Sequence, residues 1–304
     1  MSRAARSAVL PVDKGPGVTS FQVVEQVRRV LRAPRVGHGG TLDPDATGVL
    51  PLLIGEATKL TPYLVDLDKV YVATVRLGVV TDTQDASGTV LETRPVPPVD
   101  RATAEAALVP FVGAILQVPP MHSAIRRGGR RLYELARAGQ TVDREPRLVV
   151  VHEIALLDLR PPELTLSVRC GKGTYVRTLA ADLGEALGCG ASLAALRRTR
   201  VGPYTLDAAV PWAELAGTPD PARLWERCLA PDSALAGHPA LTLDAAGERA
   251  FGHGQPVGAA LPDGLVRVYG RDGALVGVGR AAGGRVRPER LLHADPPRPR
   301  ILPA

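Results

Sequence analysis

One carboxylate in this chain stands where chemistry would place it. Asp43 follows Gly37-His38-Gly39-Gly40-Thr41-Leu42 and precedes Pro44. Glycines admit left-handed or closely packed backbone, and a following proline pushes Asp43 out of the helical region. The spacing therefore predicts a carboxylate on a stiff, non-helical loop that a substrate can approach closely. The same residue types also make an ordinary surface turn, and composition alone leaves both readings open. The second chemical group is Arg177, in the first turn of a helix predicted over residues 175–187 with Thr174 as its N-cap. A cation there opposes the positive end of the helix dipole. It calls for a carboxylate or phosphate partner, unless the side chain simply turns out to solvent. Pairing with Asp43 would hold that carboxylate ionised.

The elements that must position these groups are readable from periodicity. Ser20 is expected to cap a helix carrying Val23, Val24, Val27, Val30 and Leu31 on one face. An apolar run covers Val49 to Ile54. Residues 70–77 alternate, with Tyr71, Ala73, Val75 and Leu77 sharing a face of a strand. Residues 82–88 read as a turn and residues 102–108 as a short helix. Two strands are expected over 148–159 and 164–170, with Pro161-Pro162 between them. Helices and strands are mixed rather than strictly alternating, which favours an α+β fold. The stretch 211–240 reads as a linking helix. From Leu241 short Val/Leu runs separated by Asp263-Gly264 and Asp272-Gly273 predict a small β module. The proline-rich end, 296–304, reads as a disordered tail.

Composition narrows the class. The 304 residues carry 37 basic and 31 acidic side chains, a formal charge of +6, which suits a polyanionic partner. The basic excess is concentrated at Arg126, Arg127, Arg130, Arg131 and Arg137, against the single acid Glu134. With Tyr133 among them, this stretch fits either a solvated face or phosphate binding with some stacking. Cys170, Cys189 and Cys228 are widely spaced and odd in number, so neither a zinc site nor a disulfide framework is indicated. With no apolar run long enough for a membrane span and no signal-peptide pattern, the expectation is a reduced, cytoplasmic protein without metal or cofactor.

The string Gly37-His38-Gly39-Gly40-Thr41-Leu42-Asp43-Pro44 resembles the loop of the TruB family of tRNA pseudouridine synthases, which carry their aspartate nucleophile in a Gly-His-x-Gly-Thr-Leu-Asp-Pro context. Further segments extend the resemblance over most of residues 11–205. They are Gly55-Glu56-Ala57-Thr58-Lys59, Lys69-Val70-Tyr71, Ser123-Ala124-Ile125 through Leu132-Tyr133-Glu134, and Gly171-Lys172-Gly173-Thr174-Tyr175-Val176-Arg177.

The resemblance implies Asp43, Arg177 and Tyr71 as catalytic residues, with Tyr71 stacking on the target uracil. It implies substrate contacts from His38, Tyr71, Tyr175, Leu196, Lys14 and Lys59, and RNA-backbone contacts from Arg126, Arg127, Arg130 and Arg131. Read without it, Tyr71, Tyr175 and Leu196 are core residues and His38 a backbone-bonded loop residue. The order Lys14-Gly15-Pro16-Gly17 departs from the family's Lys-Pro-x-Gly and leaves the placement of Lys14 open.

The implied architecture is a mixed or antiparallel-sheet catalytic domain over 1–230. An RNA-gripping insertion lies near 119–145, and a small β-barrel-like RNA-binding module of the PUA kind covers 241–295. The implied activity is isomerisation of uridine 55 in the T-loop of tRNA by a monomer that needs no protein partner. Alternatives are a tRNA-binding or folding factor, an RNA-guided relative acting on ribosomal RNA, and a carboxylate-pair glycosidase using Asp43 with Asp45.

Overall fold

The computed structural model describes residues 6–292 other than Ala124 and Thr218. The expected tail at 296–304 lies outside them. In chain order the elements begin with β1 (Ala8–Lys14), α1 (Ser20–Leu31), β2 (Val36–His38), β3 (Thr47–Ile54), α2 (Thr61–Asp66) and β4 (Lys69–Leu77). There follow β5 (Val79–Thr81), β6 (Val90–Thr93), α3 (Arg101–Leu108), β7 (Gly113–Gln117), β8 (Arg126–Arg127), β9 (Arg130–Arg131) and α4 (Leu132–Arg137). The long strands β10 (Arg147–Arg160) and β11 (Glu163–Cys170) lead to α5 (Val176–Ala186), β12 (Ala191–Val201), β13 (Tyr204–Thr205) and β14 (Val210–Pro211).

These strands form one mixed sheet in the order β14-β1-β3-β12-β4-β11-β10-β7, with β2 and β13 attached at its flank. Two pairings are parallel, β1 with β14 and β3 with β12, and the others along the path are antiparallel. The expected mixed sheet is thus observed. It carries two apolar cores. Helices α3 and α5 cover one around Val75, Leu166, Leu179 and Leu183; α1 covers the other around Leu10, Val23, Val27 and Leu52. Tyr71 and Leu196 are packed against both. The seam between the cores therefore runs along β4 and β12.

The expected linking helix at 211–240 is instead broken into α6 (Trp212–Ala216), α7 (Pro221–Glu226) and a 3-10 turn, Pro231–Leu235. Prolines start each short piece or sit at its first position, where the missing N–H costs nothing, and prevent one continuous helix. Leu215 and Leu224 pack into the α1 core, so this stretch belongs to the sheet's own layer.

The C-terminal part comprises β15 (Ala240–Thr242), α8 (Ala245–Gly252), β16 (Val257–Gly258), β17 (Gly264–Tyr269), β18 (Leu275–Ala282) and β19 (Arg285–Leu291). The expected runs at 265–269 and 274–278 correspond to β17 and β18, while β19, rich in arginine, carries no apolar run to announce it. The sheet order is β15-β17-β18-β19-β16, with no pairing between the two end strands among the described residues, a half-barrel rather than a closed barrel. It shares a core with the first sheet: Val278, Leu292, Leu265 and Leu275 pack with Val9, Val49, Leu53 and Leu60. Tyr63 donates to Glu289 at 2.8 Å and Tyr269 to Asp232 at 2.6 Å across the same contact. Removing residues 241–304 would expose that core, a cost the separable β module of the sequence reading does not include.

Candidate active site

The loop from Gly39 to Ala46 is built so that Asp43 has little freedom. Gly40 has φ +127°, a conformation that side chains rarely adopt, and its carbonyl accepts a hydrogen bond from the Arg198 guanidinium at 3.1 Å. Gly48 lies so close to β12 that an added Cβ would fall 2.1 Å from the Arg198 carbonyl oxygen. On the other side, the Ser20 hydroxyl accepts from the Leu42 N–H at 2.9 Å and donates to the Leu42 carbonyl at 3.0 Å. This corrects the expectation for Ser20. The N-cap of α1 is Thr19, in a capping box with Gln22, and buried Ser20 pins the residue before Asp43.

Arg177 meets Asp43 directly. Its Nε lies 3.1 Å from Asp43 Oδ2, and its side chain is 6% exposed against 43% for Asp43. The carboxylate is thus open to solvent on one side while its cation lies behind it. The helix N-cap is Tyr175 rather than Thr174, and Arg177 is the second helical residue. The unfavourable dipole position is offset by two carboxylates, because Nη1 also lies 3.4 Å from Asp85 Oδ2. Nη1 donates to the Thr83 carbonyl at 3.1 Å and Nη2 to the His122 carbonyl at 2.9 Å. Each nitrogen of the guanidinium thus has at least one partner. Protein packing around Asp43 pushes its pKa up, Arg177 pulls it back down, Asp85 and Asp45 push upward, and Lys14 pulls downward.

The tyrosines come to the same region. Tyr71 and Tyr175 both feel the Asp43 charge, and burial raises the pKa of each hydroxyl. Arg198 stands opposite Tyr71 in the β12–β4 register, and its charge acts on the Tyr71 hydroxyl. His38 Nδ1 accepts from the Gly40 N–H at 3.3 Å. Burial, then the charge of Arg198, lowers its pKa and keeps the imidazole neutral. Leu196 lies on the same strand, two residues before Arg198, at the seam of the cores.

Two expected substrate contacts, Lys14 and Lys59, have partners within the protein. Lys14 is 0% exposed, and its ammonium donates to the carbonyls of Gly15 (2.9 Å), Val18 (2.7 Å) and Pro44 (2.7 Å). All three donors are spent on backbone, so Lys14 fastens the residue after Asp43; burial pulls its pKa down to about 8. The departure from the Lys-Pro-x-Gly order therefore still leaves a lysine under the loop. Lys59 pairs with Glu56 and donates to the Leu291 carbonyl at 2.9 Å, which places it in the contact with the C-terminal sheet.

Arg126, Arg127, Arg130 and Arg131 lie on the two-stranded hairpin β8–β9, all exposed. Arg131 and Arg137 sit over the Tyr133 ring at 5.8 and 5.4 Å, while no ion pair holds Arg126, Arg127 or Arg130 among the described residues. Sequence reasoning missed Asp85, Gln117 and Arg198. Arg198 had a signal: in a strand it shares a face with Leu196, so a charge was due at an inward position. Asp85 had none, being one acid in a turn whose docking against Leu193 is a tertiary event. Among the described residues no group of three His, Cys, Asp or Glu side chains is arranged to hold a metal, and no helix is long and apolar enough to cross a membrane.

Comparison with known proteins finds relatives along nearly the whole chain. The model of the TruB family pseudouridylate synthase N-terminal domain matches residues 28–176. Two C-terminal models, for the tRNA pseudouridylate synthase B C-terminal domain and for the pseudouridine synthase II TruB C-terminus, match 177–235 and 239–292. The chain is 50% identical over 301 residues to a tRNA pseudouridine synthase B of Burkholderia mallei, covering 96% of this chain and 99% of that protein. It is 49% identical over 296 residues to one of Cupriavidus metallidurans, covering 93% of each. Among solved structures, a chain from the crystal structure of a Cbf5-Nop10-Gar1 complex superposes with a TM-score of 0.71 at 26% identity, covering 96% of this chain and 86% of that one. Placed beside an aspartate loop held by Ser20, Lys14 and Arg198 and an arginine aimed at its carboxylate, these matches show that the chain belongs to the TruB family of pseudouridine synthases.

Proposed function

We propose that this chain converts uridine 55 in the T-loop of tRNA to pseudouridine, with Asp43 as nucleophile. The Burkholderia and Cupriavidus relatives are named tRNA pseudouridine synthases, which supports tRNA as the substrate class. The reaction is an isomerisation. The N1–C1′ bond breaks, the uracil turns, C5 joins C1′, C5 gives up its proton and N1 gains one. No oxidant, reductant or nucleotide is consumed. Asp43 either attacks C1′ or assists through a glycal-type intermediate; both need an ionised carboxylate. Arg177 keeps it so, Tyr71 and Tyr175 flank it as aromatic surfaces, and His38 and Leu196 complete the wall. The target base leaves its stack to reach them.

The observation that carries this reading is the Asp43–Arg177 ion pair at 3.1 Å, with two tyrosine hydroxyls within reach of the Asp43 charge. A protein that only bound RNA would gain nothing from a carboxylate facing a polyanion. The hairpin arginines fit the RNA backbone, and the arginines of β17, β18 and β19 would add grip away from the reacting base. In this reading the enzyme works in the cytoplasm as a monomer on the T-stem-loop, with 1–230 catalytic and 241–295 contributing affinity. The test is incubation with an unmodified tRNA transcript followed by mapping of pseudouridine. A single product at position 55 is expected; modification elsewhere, or none with a folded protein, would contradict it.

A further inference from the structure

Helix α5 begins without a side-chain cap of its own, although a helix start leaves backbone N–H groups unpaired. The partner comes from another element. The Tyr175 N–H donates to Gln117 Oε1 at 2.8 Å, and Gln117 Nε2 donates to the Tyr175 carbonyl at 3.1 Å. Gln117 is the last residue of β7 and is 2% exposed. Immediately beyond it begins the stretch that carries the arginine hairpin. Five residues on, the His122 carbonyl accepts from Arg177 Nη2 at 2.9 Å. The Ser123 hydroxyl also faces that of Tyr175, too loosely for a well-formed hydrogen bond. One short segment thus grips α5 twice, at the backbone two residues before Arg177 and at its guanidinium.

A guanidinium is a rigid fork, so the position of Nη2 and the start of the side chain together fix where Nε points. We propose that Gln117 is a positioning residue for the reaction: with the His122 carbonyl it holds Arg177 against Asp43, so the base of the arginine-rich insertion sets the geometry of the nucleophile's ion pair. This rests on the reading of Asp43 and Arg177 given above. The charged groups facing Asp43 are Arg177, Asp85, Lys14 and Asp45, and Arg177 is the strongest influence favouring its ionised form. Loosening Arg177 therefore raises the pH at which Asp43 becomes active.

The experiment compares Gln117→Met, which removes both hydrogen bonds, with Gln117→Glu, which keeps an acceptor for the Tyr175 N–H. The readouts are single-turnover rate at saturating enzyme on an unmodified tRNA transcript, tRNA affinity, and the acidic limb of the pH–rate profile. Gln117→Met is expected to slow the saturated rate about 10- to 100-fold, as a small misplacement of a catalytic group does. Its affinity should stay within about twofold of wild type, and its acidic limb should move to higher pH. Gln117→Glu should lose rate as well, but less, and it decides the matter alone if thermal melting shows Gln117→Met to be unfolded. Wild-type rates and an unmoved acidic limb in the folded variants, or a loss confined to affinity, would overturn the proposal. Asp43→Asn is run alongside. If it still turns over, the assignment of the nucleophile fails, whatever Gln117 does.

Discussion

Cations serve this protein in two places under opposite conditions. Around the Asp43 loop, Lys14, Arg177 and Arg198 are buried, and their donors meet backbone carbonyls or carboxylates. On the β8–β9 hairpin, Arg126, Arg127 and Arg130 are exposed and unpaired among the described residues. A buried cation is costly unless each donor finds an acceptor. The inner set is therefore fixed in geometry and suited to holding a loop and one carboxylate. The outer set is solvated, with donors free to meet phosphates whose positions vary. Sequence charge is the same in both places; burial divides the duties. Inner changes should then alter rate or stability, and outer changes should alter affinity and its response to salt.

The largest expected break comes from Arg177→Met. Loss of this cation should slow the saturated reaction by about 100- to 1,000-fold, as for removal of a preorganised charge partner, with tRNA affinity nearly unchanged. Burial already raises the pKa of Asp43, and Arg177 is the main opposing influence. Without it the pKa rises further, so activity at low pH is lost first and the acidic limb moves to higher pH. A pH–rate profile with an unmoved acidic limb would show that the two residues do not act together.

Replacing Arg126, Arg127, Arg130 and Arg131 by Gln should do the reverse. Each lost phosphate contact should reduce the log–log salt slope of tRNA binding by roughly 0.7–0.9, while the rate at saturating enzyme holds. Unchanged affinity and slope would reduce the hairpin to a solvated face. Lys14→Met is the smaller inner change. It leaves the carbonyls of Gly15, Val18 and Pro44 without their donor, at a cost of about 1–3 kcal/mol in stability. Denaturant unfolding checks this, and a loss with no slowing of the saturated reaction would show that the loop does not depend on its lysine.

Much of the molecule was legible because local pattern and tertiary role agree. The alternation around Tyr71 gives β4, the face of Val23, Val24, Val27 and Leu31 gives α1, and the Gly-Asp-Pro spacing gives the loop. What escaped was decided across distance. Ser20 looked like a cap because caps are local; its bonds to Leu42 span 22 residues. Nothing near Lys59 in sequence announces its acceptor on Leu291, 232 residues away. The sequence also treats the β module as separate, since nothing in residues 241–292 reveals that Val278 and Leu292 complete a core begun at Val9 and Val49. The open seam of that module is likewise a matter of which strands pair, and β19 reads as charged rather than apolar.

The central claim is that one carboxylate, held by an interior cation, does the chemistry while the exterior cations hold the RNA. Asp43→Asn tests it most directly, because it removes the negative charge and keeps nearly the same shape. The measurement is single-turnover pseudouridine formation on an unmodified tRNA transcript at saturating enzyme, with binding of the same transcript measured in parallel. The account predicts no detectable product and tRNA affinity close to wild type. Turnover near the wild-type rate would contradict it, and the nucleophile would have to be sought elsewhere in the chain.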